Sequence, residues 1–315
     1  MYNCRKAQHI AKCLQLAITL EVSTPKPGNV SFNANFEGTR VDHFLASAIA
    51  AGTAFQEAAY RGILVFENKL ELGKVGIGEL IKNCAADVAV WQKGGNTILG
   101  TIMLLVPIAV AAGMLPTRKK SVLDFLLLRK NIDAVVRETT AIDSVNLYRA
   151  VSIANPSGLG DTPNLDLNDP KSIQRLLDEN IGLFEVFQIA ASYDDICYEW
   201  VNNYPITFNI AYPYLRDHLN PKSQNTAITH TFLKILAARP DTFIARKVSK
   251  EKALQVSTEA NDVLEAGGLD TIEGQRLFDE FDKKLRSNGN KSNPGTTADL
   301  TAAALALCTL DGYRP

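Results

Sequence analysis

Residues Asn293-Pro294-Gly295-Thr296-Thr297-Ala298-Asp299 place an amide, two hydroxyls and a carboxylate at the head of the apolar run Thr301 to Leu310. Such a turn suits anions, because the first N–H groups of a helix lack intrahelical partners and the helix dipole is positive there. The same pattern also serves an ordinary helix start, with Thr297 as N-cap and Asp299 in the first turn. Which reading holds depends on what else converges on this loop.

Four other polar groupings are candidates. Glu21 precedes Ser23-Thr24-Pro25-Lys26-Pro27-Gly28-Asn29, where two prolines stiffen the chain and Gly28 permits close backbone approach. Lys26 is then either a fixed point charge for phosphate or an exposed lysine on a tight turn. Gly94-Gly95-Asn96-Thr97-Ile98-Leu99-Gly100 opens the most apolar segment of the chain. It is neither a dinucleotide nor a P-loop fingerprint, and Asn96 or Thr97 also serves as a plain N-cap. Asp195 and Glu199 stand four apart on one helix face, which implies either a cation such as Mg²⁺ between them or a solvated surface. Asp241 starts a short helical stretch that carries Arg246 and Lys247, suited equally to an anion or to surface charge. His9, His43, His218 and His230 form no metal-ligand pair, and His230 before an apolar stretch reads as a core or capping histidine.

The bulk properties narrow the setting. A net charge of -1 over 315 residues gives no electrostatic basis for binding nucleic acid or an anionic membrane. The basic clusters Arg118-Lys119-Lys120 and Arg129-Lys130 are short enough to be solvated helix faces. Five scattered cysteines exclude a CxxC zinc site and make a disulfide framework implausible. The N-terminus has no signal-peptide core, and Thr97 to Leu115 reads as a buried helix rather than a membrane span, so a cytoplasmic location is expected.

The elements that must hold these groups are helical. Apolar spacing predicts helices over 4–22, 42–60, 77–92, 97–114, 121–138, 141–154, 171–191, 193–202, 226–238, 248–266, 270–287 and 298–310. Tyr204 to Tyr212, bracketed by Pro205 and Pro213, is expected to be a connection or a short helix. The loops 155–163 and 287–296 read as surface or active-site loops. The expectation is therefore all-α, a single multi-helix domain over 1–315, with apolar faces that leave room for a homodimer.

Taken in order, Thr24-Pro25-Lys26-Pro27-Gly28, Asn96-Thr97-x-x-Gly100, Asp241-Thr242 with Arg246, Ala266-Gly267-Gly268 followed by Phe281-Asp282, and Asn293-Pro294-Gly295-x-x-Ala298-Asp299-Leu300 resemble the ATP:3′-dephospho-CoA triphosphoribosyl transferases. The motifs run from residue 21 to 305. Ile98 stands where that family commonly has histidine, and Thr296-Thr297 where Gly-Ser is usual. The resemblance implies an all-α enzyme that moves the triphosphoribosyl group of ATP onto the 2′-hydroxyl of dephospho-CoA and releases adenine.

Breaking an N-glycosidic bond builds an oxocarbenium-like centre, which carboxylates stabilise, and the attacking hydroxyl needs a base. On this resemblance Asp195, Glu199 and Asp299 are the catalytic candidates, with Glu21, Asp195 and Glu199 as ligands of Mg²⁺. Lys26, Gly28, Asn29, Asn96, Thr97, Gly100, Asp241, Arg246, Asn293, Gly295, Thr296 and Thr297 are then the nucleotide- and phosphate-binding set. The same residues would also suit a Mg²⁺-dependent nucleotide or ADP-ribose hydrolase, or a non-catalytic nucleotide sensor.

Overall fold

The computed structural model describes residues 2–116, 123–156, 165–166, 169–289 and 291–315. The Arg118-Lys119-Lys120 cluster and most of the loop 155–163 lie outside the described residues. The regular structure among the described residues is helical, apart from two isolated bridges, Ser31 with Ala34 and Phe36 with Thr39, that close tight turns. The all-α expectation therefore holds. In chain order the helices are α1 (Tyr2–Ser23), α2 (Val41–Ala50), α3 (Gly52–Phe66), α4 (Ile77–Trp91), α5 (Leu99–Gly113), α6 (Phe125–Arg137), α7 (Ala141–Ala154) and α8 (Pro170–Asp178). They continue as α9 (Leu183–Ala190), α10 (Asp195–Val201), α11 (Tyr212–His218), α12 (Gln224–Ala238), α13 (Thr242–Lys247), α14 (Lys250–Glu265), α15 (Ile272–Arg286) and α16 (Gly295–Leu310).

Helix α5 is apolar on every side, and a helix of that kind has to be buried. It runs through the main core with α1, α3, α4, α6, α10 and α16 packed round it, and Leu104, Leu105, Val106 and Ile108 are fully buried. Each such side chain contributes about 1.5–3 kcal/mol by leaving water. The α3–α5 crossing is backbone-close: a Cβ at Gly62 would overlap the Val110 carbonyl, and one at Gly113 the Ala59 carbonyl. No helix among the described residues is long and apolar enough to cross a membrane. A second cluster joins Phe232, Leu233 and Leu236 of α12 to Ile244, Val256, Phe278 and Phe281. The opposite face of α12 gives Ile228 and Ile235 to the main core, so this helix couples the two clusters.

Pro107 lies inside α5 and has no N–H to give to the Met103 carbonyl four residues back. Trp200 Nε1 donates to that carbonyl at 3.0 Å, and the Tyr204 hydroxyl donates to the next one, Leu104, at 3.1 Å. Both rings are fully buried. The proline thus opens acceptors that fix α10 and the chain after it against α5.

Two expected elements come out differently. The helix expected over 42–60 is broken at Ala51, because Gln15 Nε2 from α1 donates to the Ala48 and Ile49 carbonyls and Gly52 leaves space for that side chain. The helix expected over 171–191 ends at Asp178. Asn180 adopts a left-handed conformation, φ 49°, and Gly182 starts α9. Tyr204 to Tyr212 is a short helical connection as expected, with a turn of π-helix over Thr207–Ala211 that runs into α11. Trp200→Phe should orphan the Met103 carbonyl in a dry core. A loss of about 1–3 kcal/mol, beyond any cavity cost, is expected in urea unfolding.

Candidate functional site

A cavity of about 490 Å³ opens where several helices begin. The first turns of α5 and α16 face it through Gly100, Thr101, Thr296 and Asp299. Asp194 at the start of α10 and Arg246 and Lys247 at the end of α13 form one wall. Glu21, Asn29 and the segment around Phe36 and Thr39 close a second, and Leu147, Val151, Val186 and Phe187 make the opposite side apolar. Two long helices thus aim positive dipole ends at one volume that also holds two cationic side chains.

Asp299 sits at the contact between α5 and α16. Thr101 Oγ1 donates to its Oδ1 at 2.5 Å, and a Cβ at Gly100 would overlap its Oδ2. Protein surrounds the carboxyl, yet one face stays open to the cavity. Burial pushes its pKa up to about 8. The Thr101 hydroxyl opposes that rise, and the nearby charges of Glu21 and Asp241 add to it.

Around it, the loops are held by carboxylates acting on backbone. Asp241 Oδ1 caps α13 through Phe243 N and Ile244 N, while its Oδ2 accepts from Thr297 N at 2.8 Å and Thr297 Oγ1 at 2.7 Å. It therefore ties the starts of α13 and α16 together, and burial raises its pKa against the pull of Thr297, the Ile244 N–H and the Arg246 charge. Asp194 Oδ1 caps α10, and its Oδ2 accepts from Arg246, which orients the guanidinium. The Gly28 N–H donates to Asp282 Oδ1 at 2.8 Å. Gly28 turns at φ 71°, with Leu285 and Pro294 where a Cβ would stand, so the 25–29 loop is pressed against the 293–295 loop.

A search for relatives places this architecture in a family. The model of the ATP:dephospho-CoA triphosphoribosyl transferases (CitG) matches residues 7–315, nearly the whole chain. The chain belongs to this family. A protein of Pseudomonas syringae pv. tomato, whose name is that of a 2-(5''-triphosphoribosyl)-3'-dephosphocoenzyme-A synthase, is 28% identical over 115 residues. That match spans 36% of this chain and 38% of the relative. A crystal structure of an Archaeoglobus fulgidus protein described as a triphosphoribosyl-dephospho-CoA synthase superposes with a TM-score of 0.61 at 23% identity, over 86% of this chain and all of that one. This likeness extends to the fold.

Of the residues expected from sequence, Glu21, Asn29, Asn96, Thr97, Gly100, Arg246, Asn293, Gly295, Thr296 and Asp299 line the cavity. The others are placed differently. Lys26 is not on the wall: it is 2% exposed, donates to the Glu21 and Thr24 carbonyls, and lies 3.2 Å from Glu21 Oε1. Gly28, Asp241 and Thr297 lie behind the wall and fix loops. Asp195 pairs with Arg239 at 2.5 Å. Glu199 spends both oxygens on Ile206 N at 2.7 Å and Thr207 N at 3.0 Å, and burial lifts its pKa to about 7.

The set Glu21, Asp195 and Glu199 expected to hold Mg²⁺ is therefore not a ligand set, since each carboxylate already serves Lys26, Arg239 or backbone. No group of three or more metal-binding side chains occurs among the described residues. Asn96 Oδ1 accepts from Leu99 N, as a plain cap does, and Thr97 bonds Ser47 at 2.7 Å. His230 accepts from Leu269 N at 2.8 Å and is structural. Sequence reading passed over Thr101, for which its place directly after Gly100 was the one signal.

Because the Asp299 pKa lies above its unfolded value near 4, the folded protein keeps a proton that the unfolded chain has released. Stability should therefore fall as pH rises from about 4 to about 8, with Glu199 contributing up to about 7. Asp299→Asn should match the parent near pH 4 and exceed it above pH 8 by on the order of 2–5 kcal/mol in urea melts.

Proposed function

We propose that this chain transfers the 5-triphosphoribosyl group of ATP to the 2′-hydroxyl of dephospho-CoA, with release of adenine. The observation that carries the reading is Asp299: a carboxyl with a pKa of about 8, open to a cavity that two helix N-termini and two cationic side chains also line. A base works best when its pKa is near the working pH. Asp299 takes the proton of the attacking hydroxyl as oxygen bonds to C1 of the ribose. The C1–N bond to adenine breaks, its electron pair leaves with the base, and a proton delivered to adenine completes the balance. Asp195 and Glu199, engaged elsewhere, are set aside from this role.

The triphosphate is retained through the reaction, so it needs charge rather than chemistry. Arg246, held by Asp194, and Lys247 offer it cations, and the starts of α5 and α16 offer N–H groups. Mg²⁺ would arrive as the counter-ion of the triphosphate, since the described residues form no cage of their own; such an ion offsets phosphate charge. The apolar wall from α7 and α9 suits the pantetheine arm of the acceptor. No spanning helix occurs among the described residues, and a cytoplasmic enzyme is the reading we propose.

Incubation with ATP, Mg²⁺ and dephospho-CoA, followed by mass spectrometry, tests the reading. It expects free adenine and a CoA conjugate heavier by the triphosphoribosyl group. Adenine without conjugate would indicate hydrolysis, and binding without turnover a sensor. For the free enzyme, kcat/KM should rise with pH through about 8, and Asp299→Asn should abolish adenine release. Arg246→Gln removes binding that is equal in ground and transition states, so the KM for ATP should rise about 10- to 100-fold while kcat changes little.

A further inference from the structure

Among the described residues, Glu21 is the one carboxylate on the cavity wall besides Asp299 and Asp194, and the mechanism above gives it no task. It is 7% exposed, yet Oε1 accepts no aligned hydrogen bond among the described residues. Lys26 Nζ gives two of its three protons to the Glu21 and Thr24 carbonyls and lies 3.2 Å from that oxygen with the third. Lys26 thus cancels the charge of Glu21 and fills only part of its acceptor capacity. A neutral ion pair has little attraction for a second cation, and a carboxylate has up to four lone-pair positions to fill. What such a site lacks is a neutral hydrogen-bond donor.

The position indicates which donor. Glu21 is near enough to Asp299 for the two charges to interact. A sugar whose C1 stands beside Asp299 brings its neighbouring hydroxyls to that side of the cavity. We infer that Glu21, neutralised by Lys26, binds a vicinal hydroxyl of the donor ribose and makes the site select ribonucleotides over deoxyribonucleotides. This rests on the proposed reading of the site as a nucleotide-ribose site. A site built to bond a hydroxyl rejects the analogue lacking it, because the buried acceptor is then left unpaired. Glu21 is a specificity-determining residue in this account, and Lys26 a positioning residue behind it.

Equilibrium binding of ATP, 2′-deoxy-ATP and 3′-deoxy-ATP to the full chain tests this without requiring turnover. Binding of ATP should exceed that of at least one deoxy analogue about 10- to 100-fold. Glu21→Met with Lys26→Met removes both charges at similar volume, and the preference should fall below about threefold while circular dichroism stays unchanged. Glu21→Gln keeps the shape and one acceptor oxygen, so it should retain part of the preference. Equal binding of all three nucleotides by the parent chain would overturn the inference, as would an undiminished preference in a folded double variant. The transferase reading fails separately, if ATP and dephospho-CoA yield no adenine and no conjugate while the ribose preference persists.

Discussion

Gly100 and Asp299 meet where two buried helices begin, and the site depends on that contact. Because residue 100 has no side chain, the Asp299 carboxyl can lie against α5, where Thr101 donates to it. Removing water from a carboxylate on so many sides favours its neutral form. The pKa of about 8 is therefore a result of packing two long helices, α5 and α16, at their N-terminal ends. Helix dipoles and cationic side chains then act on a volume where water does little to weaken them.

The surrounding structure keeps that contact in place through carboxylate-to-backbone bonds. Asp241 joins α13 to α16, Asp194 holds Arg246 while capping α10, and Asp282 draws the Gly28 turn towards Pro294. Glu199 plays the same part further back, holding the turn after α10. Pro107 adds to this frame by exposing carbonyls that Trp200 and Tyr204 take up. Several acidic residues that look chemical in sequence are thus the fastenings of loops, and one of them is left at the wall with an abnormal proton affinity.

Much of the fold was legible. The all-round apolarity of α5 could only mean a buried helix, and Pro-Gly and Asn-Thr starts marked the loops that form the cavity. Asn180 and Gly182 carried a helix-stop signal that the long periodic stretch obscured. The break at Ala51 had no local sign, because its cause is Gln15 of another helix. The roles of the charged groups were hidden for the same reason. Asp195 and Glu199 share a face of α10, as their spacing required, but Arg239 and the 206–207 backbone claim them from outside the helix. Lys26 reads as exposed or ligand-facing in sequence, yet the turn between Pro25 and Pro27 directs it back onto the Glu21 and Thr24 carbonyls.

The central claim is that packing holds Asp299 protonated at neutral pH. Carbon-13 NMR of protein labelled at aspartate carboxyls, with the resonance assigned by its loss in Asp299→Asn, measures this directly. A titration midpoint near 8 is predicted. A midpoint near 4, the ordinary value for aspartate, would contradict the account of the site.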